Sequence, residues 1–159
     1  MTATRILPGV ASGPVLAMEQ GLSFWGGVDP ATARVIDAHH PAHGADLAGA
    51  VVLMPTSRGS CSGSGVMLDL MLNGRAPAAL IFSEPEDILT LGALIGAEMF
   101  GRSLPALRVS AGDFARLAAQ PRLRIGDDAI TGEGLHIPIA DPPEHALALT
   151  DDDRAILAG

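Results

Sequence analysis

The stretch from residue 50 to 110 limits the fold more than any other part of the chain. Residues 50–55, AVVLMP, form a short unbroken apolar run with β-branched residues at its centre. A run of that length and character reads as a strand buried on both faces. A small polar loop follows over residues 57–65, SRGSCSGSG. Residues 66–73, VMLDLMLN, then show helical spacing, and Gly74 is a natural stop. The same order returns at once. Residues 78–82 read as a strand, 83–85 as a turn, and 86–100 as a helix with Glu86 and Asp87 near its positive end. Residues 105–110 read as a third strand. Strand, loop and helix in repetition predict parallel strands joined by helical crossovers.

The flanks read differently. Residues 4–18 predict two strands around a glycine turn, and 33–37 predict a short strand. Residues 21–30, GLSFWGGVDP, form an aromatic and glycine-rich loop in which Asp29-Pro30 makes a turn. Residues 121–139 predict strands without helices. The expected class is α/β, a β/β/α domain in which a strand-rich layer packs on a short parallel β-α-β unit. With 48% hydrophobic residues, 159 residues suffice for one domain with a sizeable core.

Composition excludes several functions. The net charge of −8 argues against a nucleic-acid partner, which needs a basic face. All ten basic residues are arginine, so no lysine can form a Schiff base. No apolar run approaches the ~20 residues of a membrane helix, so no membrane partner is expected. Residues 1–10, MTATRILPGV, lack the apolar core of a signal peptide. The single cysteine, Cys61, fits a reducing cytoplasm and alone can hold neither a structural zinc nor an iron–sulfur cluster. No metal site is therefore expected in this chain.

The loop 57–65 carries the most chemistry. It lies between a predicted buried strand and a helix start, where backbone N–H groups and the helix dipole favour an anion. Arg58 adds a forked cation suited to carboxylate or phosphate, and Gly59 lets the backbone approach a ligand. Ser60, Ser62 and Ser64 lie within reach of such a group. A serine there can act as a base only if its alkoxide is stabilised by nearby donors. The competing reading is a serine-rich turn whose hydroxyls cap the next helix. His39, His40 and His43 match no standard zinc spacing and read as loop histidines. The lone Trp25 reads as packing in the core or at an interface, with lining of a site as the alternative.

Several segments in order resemble the small subunit or swivel domain of aconitase X, a branch of the aconitase superfamily. They are residues 22–30, LSFWGGVDP; His40-Pro41 with Gly44; Arg58-Gly59-Ser60 with the small residues after it; residues 73–81, NGRAPAALI; and residues 84–88, EPEDI. The resemblance implies a swivelling β/β/α domain that closes over a large catalytic domain or subunit. It also implies a hydro-lyase acting on a small anionic substrate, with an iron–sulfur cluster held in the large part. By position, Ser60 would be the catalytic base. Arg58, Gly59, Ser62 and Ser64 would bind substrate, with Trp25 and His40 as lesser candidates. Cys61 is expected to be a small structural residue beside the base. The substrates that the family suggests are cis-3-hydroxy-L-proline and mevalonate 5-phosphate. The first is preferred, because a phosphate calls for more cations than Arg58. A non-catalytic module that binds anions or docks a partner remains the alternative from another class.

The C-terminal stretch changes character. Residues 141–146, DPPEHA, read as a linker. Thr150 then caps a new helix with Asp151, Asp152 and Asp153 in its first turn and Ala155, Ile156 and Leu157 opening an apolar face. These residues resemble the opening of the aconitase X large domain. The expected division is residues 1–140 as the swivel domain and 141–159 as a linker and the start of the large domain. A separate subunit with a docking helix is the alternative.

Overall fold

The computed structural model of the chain describes residues 2–59 and 62–141. Its centre is the predicted repeat. β3 (Val51–Met54), β4 (Ala79–Phe82) and β5 (Ala106–Arg108) run parallel, with α1 (Ser62–Leu72) and α2 (Ile88–Phe100) as the crossovers. Alternate residues of β3 and β4 serve two cores. Val52, Met54, Leu80 and Phe82 pack with Val66, Met67, Leu70, Leu89 and Ala93 of the helices. Val51, Leu53, Ala79 and Ile81 face the other way and join residues drawn from most other strands. Because both faces are covered, these strands tolerate no polar position, which explains their continuous apolar runs.

The strand-rich flanks do not form a separate layer packed on this unit, as the sequence suggested. β1 (Ala3–Leu7) pairs with β5 antiparallel and with β8 (Leu135–Ala140) parallel. β2 (Ala11–Ala17) pairs with β3 parallel and with β6 (Arg122–Ile125) antiparallel. β7 (Ala129–Gly132) joins β6 to β8, so eight strands close in the order β1-β5-β4-β3-β2-β6-β7-β8. The physical reason is edge satisfaction. β1 and β2 each have two hydrogen-bonded neighbours, and closure leaves no free edge. Ala3, Leu107, Leu123, Ile125, Ile130 and Ile137 fill the interior. Arg122 and Arg124 alternate with Leu123 and Ile125 and stay outside.

Two further expectations are corrected. Residues 33–37 hold only isolated bridges, Val28 to Val35 and Arg34 to Asp46. The chain there is bent by local bonds: Asp29 Oδ1 accepts from Ala31 N at 2.9 Å, and Ala33 N donates to Asp29 O at 2.8 Å. Ala33 itself takes a φ of 65°, which breaks an extended run. The second correction is a helix, α3 (Ala111–Ala118), where the sequence reading assigned no element. Ser110 caps it by accepting from Asp113 N at 3.2 Å, and its Leu117 joins the interior cluster. Leu70 O and Met71 O accept from Arg75 N and Gly74 N, so α1 ends as predicted at Gly74, in a Schellman motif with φ 72°. Arg5 binds Asp141 Oδ1 at 2.5 Å at the end of the described chain.

Leu80 is fully buried between the sheet and the helices. Leu80→Ala is expected to remove about 3 kcal/mol of stability, read as a lower urea midpoint with an unchanged slope.

Candidate active site

The loop after β3 is held on two sides before it reaches its serines. On one side, Arg58 bridges in parallel to Ser23, and Arg58 N donates to Leu22 O at 3.3 Å. The fit is close enough to demand glycine twice. A Cβ on Gly59, whose φ is 95°, would lie 2.3 Å from Ser23 Oγ. A Cβ on Gly21 would lie 2.4 Å from Thr56 O. On the other side, Ser83 N and Glu84 N donate to Pro55 O at 3.2 and 2.9 Å. Thr56 Oγ1 donates to Pro85 O at 2.9 Å, and Ser57 Oγ donates to Glu86 Oε1 at 2.5 Å.

Glu86 organises that second side. It is buried, and its carboxylate also accepts from Leu89 N at 2.8 Å, Thr90 N at 2.9 Å and Thr90 Oγ1 at 2.9 Å. Four donors satisfy a carboxylate that burial alone would disfavour. It also caps α2, because two of those donors are the first-turn N–H groups left without partners by helix geometry. The neighbouring Asp87 makes no side-chain cap bond.

The proposed site residues fall as follows. Arg58 and Gly59 are exposed at the end of the clamped segment, and Arg58 makes no ion pair among the described residues. Ser60 and Cys61 lie outside the described residues. Ser62 and Ser64 are in the first turn of α1, which starts four residues earlier than the apolar spacing suggested. That first turn contains no acidic residue, so its positive end is not neutralised from within the helix. Trp25 is 63% exposed, which removes the core half of the expected core or interface packing. Its backbone N lies 3.9 Å from where a Gly63 Cβ would sit, beside the α1 start, while the adjacent Phe24 is fully buried. His40 stands apart from this cluster. Its Nδ1 accepts from Ala42 N at 3.0 Å and its Nε2 faces Gln20 O at 3.3 Å, so both ring nitrogens serve the loop backbone.

Ser23, Ser57 and Glu86 were not singled out in the sequence. Glu86 carried a partial signal, an acidic residue just ahead of an apolar helix. Its pairing with Ser57 did not, because the two lie 29 residues apart and meet only when β3 and β4 align.

No three His, Cys, Asp or Glu side chains are grouped to hold a metal ion among the described residues. With one cysteine in the sequence, the donor set does not fit an iron–sulfur cluster. No helix among the described residues is long and apolar enough to cross a membrane.

Fold and loop together define a swivel-type domain, and comparison with known proteins agrees. Residues 1–132 match the family Aconitase X swivel domain, and the chain belongs to that family. A cis-3-hydroxy-L-proline dehydratase of Hypocrea jecorina is 44% identical over 98% of this chain and 28% of that protein. A phosphomevalonate dehydratase small subunit of Thermococcus onnurineus is 36% identical over 75% of this chain and 92% of that subunit. The crystal structure of Thermococcus kodakaraensis aconitase X in its holo-form matches with a TM-score of 0.68 and 34% identity, covering 78% of this chain and 88% of that one. This chain therefore spans little more than a quarter of the matched hydroxyproline dehydratase.

Gly59→Ala places a side chain against Ser23 at a positive φ. It is expected to cost about 1–2 kcal/mol, seen as a lower melting temperature. Gly26→Ala, also at positive φ but with open space around it, should cost less.

Proposed function

We propose that this chain supplies half of the active site of a hydro-lyase that dehydrates cis-3-hydroxy-L-proline. The observation that carries this reading is the match to such a dehydratase along 98% of the chain. The clamped loop supports it. Rigid positioning of Arg58 and Gly59 is what a catalytic loop needs and a simple helix cap does not.

In this proposal the substrate carboxylate lies against Arg58, whose planar fork suits two carboxylate oxygens. Ser60 Oγ, as alkoxide, takes the proton from C2. The C2–H electron pair becomes the C2–C3 double bond, the C3–O bond breaks, and the hydroxyl departs as water after gaining a proton. Serine is too weakly acidic to do this unaided. Arg58 and the N–H groups at the start of α1 are the donors that lower the cost of its alkoxide. Ser62 and Ser64 add hydroxyls on the same turn, and Trp25 offers an apolar wall at the rim. The iron–sulfur cluster implied by the family belongs to the large partner in this proposal, and no step here is routed through it.

The same match supports reading residues 1–140 as the swivel domain and 141–159 as a linker and the start of the large catalytic part. It extends over nearly all of this chain while leaving most of the dehydratase unaccounted for. The match to an archaeal small subunit gives mevalonate 5-phosphate a place as the second substrate to test. The lone cysteine is consistent with a reducing cytoplasm as the setting.

The test is to express this chain joined to, or together with, a large aconitase X part and to assay water loss from cis-3-hydroxy-L-proline. Activity should require both parts, and Ser60→Ala should lower kcat by at least about 10³-fold, as loss of a catalytic base or nucleophile does. Turnover of mevalonate 5-phosphate instead would keep the reaction class and replace the substrate. Turnover of neither would favour a non-catalytic anion-binding or docking module.

A further inference from the structure

We infer that Ser57 and Glu86 form a positioning pair that fixes the catalytic loop relative to α2. The inference rests on the dehydratase reading above and names the residues that make its loop rigid. Ser57 is the last side-chain anchor before Arg58, and its hydroxyl donates to Glu86 Oε1 at 2.5 Å. A hydrogen bond from a hydroxyl to a carboxylate at that distance is among the strong, directional kind.

Glu86 is a suitable post because it cannot follow the loop. Its three other donors, Leu89 N, Thr90 N and Thr90 Oγ1, all belong to the first turn of α2. That helix is packed through Leu89 and Ala93 on the core shared with α1 and β3. The position of the helix is thus transmitted through one buried carboxylate to residue 57. From the opposite side Ser23 and Leu22 hold Arg58, and Ser23 lies close against Gly59. A loop held on both sides fixes the backbone at residues 57–59, the approach to the proposed base. A displacement of about 1 Å at a reacting group costs up to about 100-fold in rate.

The pair acts through position, not by touching the reacting atoms, and a single variant separates that role from folding. Ser57→Ala removes the strap but leaves Glu86 with its three bonds to α2, so the helix keeps its cap. Ser57 is only half-buried, so little stability should be lost. Glu86→Ala removes cap and strap together and should destabilise the domain as well.

The experiment uses Ser57→Ala and Ser57→Thr in this chain, alone and in the assembled dehydratase. Amide hydrogen exchange at Arg58, whose N–H donates to Leu22 O, should quicken in Ser57→Ala, while residues 89–93 keep their protection, and Ser57→Thr should restore the wild-type rate. In the assembly, kcat should fall about tenfold with KM within about twofold, and threonine should rescue it. Unchanged exchange, or unchanged kcat in an active assembly, overturns the inference. A raised KM with kcat retained also overturns it, since that marks direct substrate contact. If the wild-type assembly turns over neither substrate, the dehydratase reading fails by itself, and the exchange result then decides the strap.

Discussion

Burial of β3 and β4 on both faces is the constraint from which the rest of the structure follows. Each strand is four residues long and wholly buried. Such short strands are stable only with neighbours along both edges and cover on both faces. The helices α1 and α2 cover one face, and closure of the sheet covers the other. Closure in turn fixes the order of all eight strands, because β1 and β2 must each bridge between the parallel part and the antiparallel part. It also aligns the ends of β3 and β4, which brings Pro55 beside Ser83 and Ser57 beside Glu86. The geometry of the candidate site is thus a consequence of core packing two residues away.

The polar contacts around the loop divide labour accordingly. Backbone bonds to Pro55 set the coarse position, as part of how two parallel strands end. Side-chain bonds from Thr56 and Ser57 refine it. The close approach of Ser23 to Gly59, together with a φ of 95°, disfavours a side chain at the position just before the proposed base. Arg58 emerges from this frame exposed, where a ligand or a partner domain can reach it. A fixed backbone carrying an exposed cation and a helix N-terminus suits a site completed by another domain.

Much of the fold was legible because its signals are local. The apolar runs at 50–55 and 78–82 reflect two-sided burial, and Gly74 marks a helix end through its φ. The pattern of Arg122-Leu123-Arg124-Ile125 reflects one-sided burial with period two. Barrel closure was not legible, since pairing of β1 with both β5 and β8 joins residues about 100 or more apart in sequence. α3 carries a local signal in Ser110 with Asp113 three residues on, a cap that sits in a short stretch between two strands. The strand expected at 33–37 failed because Asp29 and Ala33 turn the backbone locally, which outweighs the β preference of Val35 and Ile36. At the site, Arg58, Gly59 and the serines stood out by type. The link from Ser57 to Glu86 exists only through contact across two strands, and the exposure of Trp25 depends on a loop whose path hydropathy does not encode.

The most direct measurement is a crystal structure of the Ser60→Ala chain assembled with a large aconitase X part and soaked with cis-3-hydroxy-L-proline. The substrate carboxylate is expected within hydrogen-bond reach of Arg58, with residue 60 facing the hydrogen on C2. A ligand bound wholly by the large part, with the 57–60 loop turned away from it, would rule out a catalytic role for this loop.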